Sequence, residues 1–353
     1  MAMSTKLHSS ISLLLLLLLT TSSTLGGASP ECGSKSVNEC HNKAESLKLK
    51  IIAMVSILVT SMIGVCLPIF SRSVQALKPD RDLFILVKAF ASGVILATGY
   101  MHVMPDSFDC LTSECLPENP WRKFPFTTFV AMLSAILTLM VDSFAMSCYK
   151  KRCSEVGLES SSKAIRGDGT MELQNTGHCH GNGMAGLDDE ASQLLRHRVV
   201  AQVLELGIVV HSVVIGLSMG ASDNPCTIRP LVAALCFHQL FEGMGLGGCI
   251  LQAEYEFKMK AIMVFFFSAT TPFGIALGIG LSNVYSESSP TALIVVGLLN
   301  ASSAGLLNYM ALVDLLASDF MGPKLQKSMK LQMWAYVAVL LGAGGMSLMA
   351  KWA

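Results

Sequence analysis

Eight apolar stretches, each close to the length needed to cross a bilayer as a helix, limit what this chain can fold into. They run over Ile51–Phe70, Leu83–Met104, Pro125–Cys148, Val199–Met219, Leu231–Leu251, Ala261–Ser282, Thr291–Val313 and Gln332–Met349. About 20 mainly apolar residues span ~30 Å of hydrocarbon, and lipid forces each segment to bond its own backbone polar groups. The expected fold is therefore an all-α polytopic membrane protein with eight transmembrane helices. Charged residues make up 14% of the chain, against about 25% in soluble domains. The net charge is zero and gives no reason to expect a nucleic-acid partner. Eleven cysteines do not make a disulfide framework, because Cys66, Cys236 and Cys249 fall inside spans.

The fourth and fifth spans carry ionisable residues where lipid disfavours them. Leu231–Leu251 holds His238 and Glu242, four residues apart and so on one helix face. Val199–Met219 holds His211. His211, Gly216 and Gly220 repeat the spacing of His238, Gly243 and Gly247, which makes the two spans an internal repeat. Consecutive spans run in opposite directions. At ~1.5 Å per residue the two histidines then reach nearly the same depth, with Glu242 near the midplane and the glycines permitting close helix approach. Two imidazoles and a carboxylate at one level suit Zn²⁺ or Fe²⁺. Uncompensated charge in lipid costs several kcal/mol, so a purely structural role for all three is disfavoured. Ser212 and Gln239, each directly after its histidine, are metal-adjacent candidates.

Other polar residues extend the pattern. His102 sits near the outer end of Leu83–Met104 and Asp106 just beyond it; together they could concentrate cations at an outer mouth. Lys88 is close enough to the opposite end of that span to snorkel. Thr271 and Asn300 belong to polar interruptions in the sixth and seventh spans that either line a path or join helices by hydrogen bonds. Residues 1–29 read as a signal peptide and 30–49 as an extracytoplasmic segment, with residues 50–353 forming the membrane domain. Cys32 and Cys40 have Cys110 and Cys115 as disulfide alternatives, and the sequence does not choose among them. An even span count puts both termini outside. The inner connections then carry fifteen Lys and Arg against eight in the mature outer segments. Residues 149–198 are expected to be a disordered cytoplasmic loop, in which His178, Cys179 and His180 read either as a weak metal-binding cluster or as incidental residues.

The segments H-S-V-V-I-G-L-S-M-G and H-Q-L-F-E-G-M-G-L-G-G resemble the paired signature helices of the ZIP (Zrt/Irt-like) metal transporters. K-A-F-A-S-G-V-I-L-A-T-G-Y-M-H-V-M-P-D-S-F and C-L-P-E-N-P-W resemble its plant branch. The resemblance implies eight helices in a 3+2+3 inverted repeat, with His211, His238 and Glu242 as transport ligands. It also implies a secondary transporter that moves zinc, with iron, manganese or cadmium in some members, across the plasma membrane into the cytosol. A homodimer is suggested, no permanent cofactor is expected, and the chain is not an enzyme. Family members with two bound metals use H-N-x-P-E-G; here Ser212 and Ile215 replace the Asn and Glu, so one transported ion is expected.

A metallohydrolase would need H-E-x-x-H, and H-Q-L-F-E lacks both the adjacent Glu and the second His. A zinc-selective channel built on the same ligands, and a membrane sensor using the His/Cys loop, remain as alternatives at this level.

Overall fold

The computed structural model describes residues 42–70, 81–164, 185–282 and 289–350. The leader, Cys32, Cys40, and the loop residues His178, Cys179 and His180 lie outside them. Among the described residues all regular structure is helical. Eight helices are long and apolar enough to cross a membrane. They are α1 (Lys43–Phe70), α2 (Asp82–Leu111), α3 (Phe126–Ala164), α4 (Ala185–Ala221), α5 (Pro225–Gln252), α6 (Phe257–Leu281), α7 (Pro290–Phe320) and α8 (Met329–Met349).

Local sequence sets several starts. Asn224, Ser289 and Ser328 cap α5, α7 and α8 by accepting from the backbone N–H groups of Cys226, Ala292 and Leu331. In the first two a proline follows the cap, where its missing N–H costs nothing. The connection expected to be irregular from Tyr149 to Arg198 is helical at both ends, up to Ala164 and again from Ala185. No proline interrupts Tyr149–Ala164, and Asp188, Asp189 and Glu190 suit the first turns of a helix.

The helices sort into an inner and an outer set. In α5, 72% of the apolar window is buried by protein, whereas in α3 the share is 11%, leaving Phe129, Leu133 and Ile136 to face lipid. The principal neighbours are α1 with α5, α4 with α6, α2 with α8, and α3 with α7. Helix α1 also meets α6, α2 meets α7 and α5, and α4 meets α5 and α7. Exchanging α1 with α6, α2 with α7, α3 with α8 and α4 with α5 leaves these pairings unchanged, while the further contact of α3 with α4 is not matched to the same extent between α8 and α5. Each exchange swaps an odd-numbered helix for an even-numbered one, so related helices run in opposite directions. That is the 3+2+3 inverted repeat.

The repeated glycines serve this symmetry in an unexpected place. They do not bring α4 against α5. A methyl group on Gly220 would overlap the Ile275 carbonyl oxygen, and one on Gly278 the Leu217 carbonyl, so these glycines let α4 and α6 touch backbone to backbone. Gly243 makes the matching contact of α5 with α1, where a Cβ would stand 2.9 Å from the Val65 nitrogen. The central pair α4–α5 is thereby clamped from both sides by α6 and α1.

Helices α2 and α7, partners under the same exchange, each contain a widened π-type stretch, Gly99–Val103 and Met310–Ala317. The first carries buried His102 and the second buried Asp314. Helix α2 does not stop at Met104 as its hydropathy suggests; it continues through Pro105 to Leu111. A proline leaves the carbonyl four residues earlier unbonded and presses on it, and a widened turn immediately before Pro105 accommodates both effects.

Candidate metal site

His211 from α4 and His238 from α5 are each 1% exposed, and Glu242 is fully buried. The two imidazole rings stand 5.5 Å apart, centre to centre. His238 Nε2 lies 3.5 Å from Glu242 Oε2, one turn further along α5. The sequence expectation that these three meet at one depth is realised in this geometry.

His102 is placed differently from expectation. With α2 extended to Leu111, this residue lies within the helix instead of at its mouth. Its ring centre is 5.8 Å from that of His211 and 6.1 Å from that of His238. Three imidazoles from α2, α4 and α5 thus form a triangle with Glu242 beside it. Asp106, one turn further along α2 from His102, is half-buried and has Asp109 close by.

The hydrogen-bond pattern fits a cation. Both nitrogens of His211, His238 Nε2, both Glu242 oxygens and Ser212 Oγ are buried without a hydrogen-bond partner. Buried polar groups are normally paired, so such a concentration within one stretch of two neighbouring helices marks donors that bond something other than protein. Among the described residues no three His, Cys, Asp or Glu side chains already converge in full ligating geometry. The remaining adjustment is small. Two imidazoles holding one zinc at ~2.0–2.1 Å with a tetrahedral angle have ring centres about 5 Å apart. The observed ring separations are 5.5, 5.8 and 6.1 Å. Neutral nitrogen donors and one carboxylate form a borderline donor set, suited to Zn²⁺ and Fe²⁺.

The two residues expected to line a path, Thr271 and Asn300, are both buried, and the Thr271 hydroxyl is unpartnered. Their neighbours on α7 divide between the two roles. Ser303 donates to the Gly207 carbonyl of α4 at 3.0 Å, and the Ser302 carbonyl accepts from Ser134 of α3 at 2.7 Å, which is helix joining. Asn308 Oδ1 has no partner and lies against Gly99, in the widened turn that carries His102. Sequence reading missed His102 as a member of the cluster because hydropathy ends its span at Met104 and so places it near the outer end. The available signal was a third histidine inside an apolar run.

His102→Ala is expected to weaken zinc binding by the purified protein about tenfold or more, to the same extent at low and high salt. An electrostatic role at the mouth would instead fade as ionic strength rises. Isothermal titration at two salt concentrations separates them.

A family model described as ZIP zinc transporter matches residues 47–350. The chain is 61% identical over 346 residues to Fe(2+) transport protein 2 of Oryza sativa subsp. japonica, covering 92% of this chain and 91% of that one. It is 60% identical over 330 residues to Zinc transporter 7 of Arabidopsis thaliana, covering 92% and 90%. Against Fe(2+) transport protein 1 of Arabidopsis thaliana it is 58% identical over 330 residues, covering 92% of each.

Proposed function

The chain belongs to the ZIP zinc transporter family and is a multi-pass membrane metal transporter, not an enzyme; from that premise we propose that it carries divalent transition-metal ions, zinc foremost, into the cytosol by alternating access. The observation that carries the reading is the buried histidine triangle with Glu242, its donor atoms unpartnered, held by the central helices of an inverted repeat. Inverted repeats let one helix bundle rock against the other about a site at mid-depth. The ion reaches Asp106 and Asp109, loses part of its water, and is taken by His102, His211, His238 and Glu242. Relatives are named for zinc and for Fe(2+), and the donor set admits both. The membrane potential adds ~2.3 kcal/mol per charge per 100 mV in favour of inward movement.

Orientation has two independent supports. Basic residues concentrate in the connections assigned to the cytosol. Cys115 and Cys226 are both disulfide-bonded, and both lie at the end of the bundle where α2 finishes and α5 starts. That is the end assigned to the oxidising side, where disulfides persist. The plasma membrane is the proposed location, with both termini extracellular. A homodimer remains part of the proposal on family grounds.

Uptake of radiolabelled Zn²⁺ by metal-starved cells, with unlabelled Fe²⁺, Mn²⁺ and Cd²⁺ as competitors, tests this directly. Saturable uptake that disappears in His238→Ala at equal surface expression supports it; no uptake of any metal by the wild type defeats it. Imidazole must be neutral to ligate, so protons compete with metal, and uptake is expected to fall once external pH is low enough to protonate the site histidines. Deleting residues 177–181 is expected to leave uptake intact. Loss of uptake on that deletion would point to the loop cluster, as a sensor would require.

A further inference from the structure

Lys88 was expected to extend to the membrane surface, and it does not. Its side chain is 6% exposed, and its Nζ donates to Asp319 Oδ1 of α7 at 2.9 Å and to Gln252 Oε1 of α5 at 3.1 Å. One ammonium thus ties together three helices, at the end of the bundle assigned to the cytosol. A charge retained inside a membrane bundle when water lies within reach of a flexible side chain marks a function.

Its register places the lock on the ion's path. Lys88, His197 and Gln252 stand fourteen residues inward from His102, His211 and His238 along α2, α4 and α5 respectively. Fourteen residues are about 21 Å of helix and nearly four whole turns, so in α4 and α5 the inner residue falls close to the face that carries its histidine, whereas in α2 the widened stretch shifts that phase. His197 is within electrostatic reach of both Lys88 and Asp319. Between the two levels Ile95, Leu204, Ile208, Leu246, Cys249 and Met310 are buried in one apolar cluster, and Glu205 of α4 is the buried carboxylate among them. A pocket of about 180 Å³ borders the lock, lined by Lys88, Gln252, Ser318 and Asp319 among others. A second carboxylate of α7, Asp314, faces Arg196 of α4 at 3.5 Å.

We propose that Lys88, held by Asp319 and Gln252, is the inner gate residue of the transport path. While the ammonium sits on Asp319 it pins α2, α5 and α7 together and sets a fixed positive charge against a descending cation. Release requires Lys88 to leave Asp319 for the adjacent pocket, which frees the helices and offers the carboxylate to the departing ion. This inference rests on the carrier reading above.

Cys249 reports on the gate. It is 3% exposed, lies in the apolar layer between the two levels, and is within electrostatic reach of Lys88 and Asp319. In inside-out vesicles carrying the full chain, an impermeant maleimide is added on the cytosolic face and Cys249 modification is followed by peptide mass spectrometry. Without metal, the wild type is expected to label slowly, and Lys88→Met or Asp319→Asn about tenfold faster, the shift expected when a closed state loses its lock. Zinc supplied in the vesicle lumen is expected to raise labelling of the wild type itself, a comparison that needs no substitution. Unchanged Cys249 labelling in both variants overturns the gate. So does equal labelling of the wild type with and without lumenal zinc in vesicles that demonstrably move zinc. Vesicles that move no metal defeat the carrier reading instead, and the variants then still decide whether Lys88 closes the inner end.

Discussion

Glu242→Ala is expected to lower metal uptake by about a hundredfold or more while leaving the protein folded and at the cell surface. Glu242 supplies the only negative charge in the histidine cluster. Without it, a divalent ion would carry its full charge into a site of neutral nitrogens inside an apolar bundle, at a cost imidazole donors cannot offset. The fold, by contrast, does not depend on this residue. Both carboxylate oxygens lack hydrogen-bond partners, so the side chain contributes desolvation cost without a compensating bond. Thermal unfolding of the metal-free variant should therefore occur at the wild-type temperature or above it. Uptake, surface biotinylation and unfolding measured together check the claim; normal uptake would remove Glu242 from the ligand set.

Gly220→Val is expected to have the opposite signature, with loss of about nine-tenths of the mature protein before transport can be assayed. At this position a Cβ would run into the Ile275 backbone, with the Gly278 Cα 2.8 Å away. Neither neighbour is a flexible side chain that can give way. The α4–α6 contact would have to open along its length, and α4 carries His211. Gly243→Val should fail in the same way, since α1 meets α5 through the Val65 and Gly64 backbone. Quantitative immunoblotting of the membrane fraction reads both. Normal accumulation of either variant would show that these contacts are looser than described.

Much of this organisation was legible in the sequence, for definite reasons. Hydropathy registers the bilayer's thickness, so eight spans are visible in eight apolar runs. His211, His238 and Glu242 stand out because an ionisable residue in an apolar run has few innocent explanations. The partners of these helices were less visible. The glycine spacing after each histidine announced a close approach, yet it did not name α6 and α1 as the helices approached. Lys88 was misjudged for a similar reason. Its position near the end of an apolar run suggests snorkelling, whereas its partner Asp319 lies 231 residues away. Asn308 and His102 went unconnected because a widened turn in α2, which has no simple sequence signature, alters the phase of everything beyond it.

That widened turn also bears on how the molecule can move. A π-type stretch holds one residue more than a regular turn, and winding that extra residue into regular α-helix turns the segment beyond it by about 100°. Helix α2 is made of two α-helical segments, Asp82–Thr98 and Met104–Leu111, joined by such a stretch, while in α7 only Ser318–Phe320 follows it. In α2 the joint lies between Lys88 and Asp106 and carries His102 itself. The outer segment can swivel, re-aiming His102 and Asp106, while the inner segment stays anchored by its ammonium. A helix with a swivel can have its two ends in different states at the same moment.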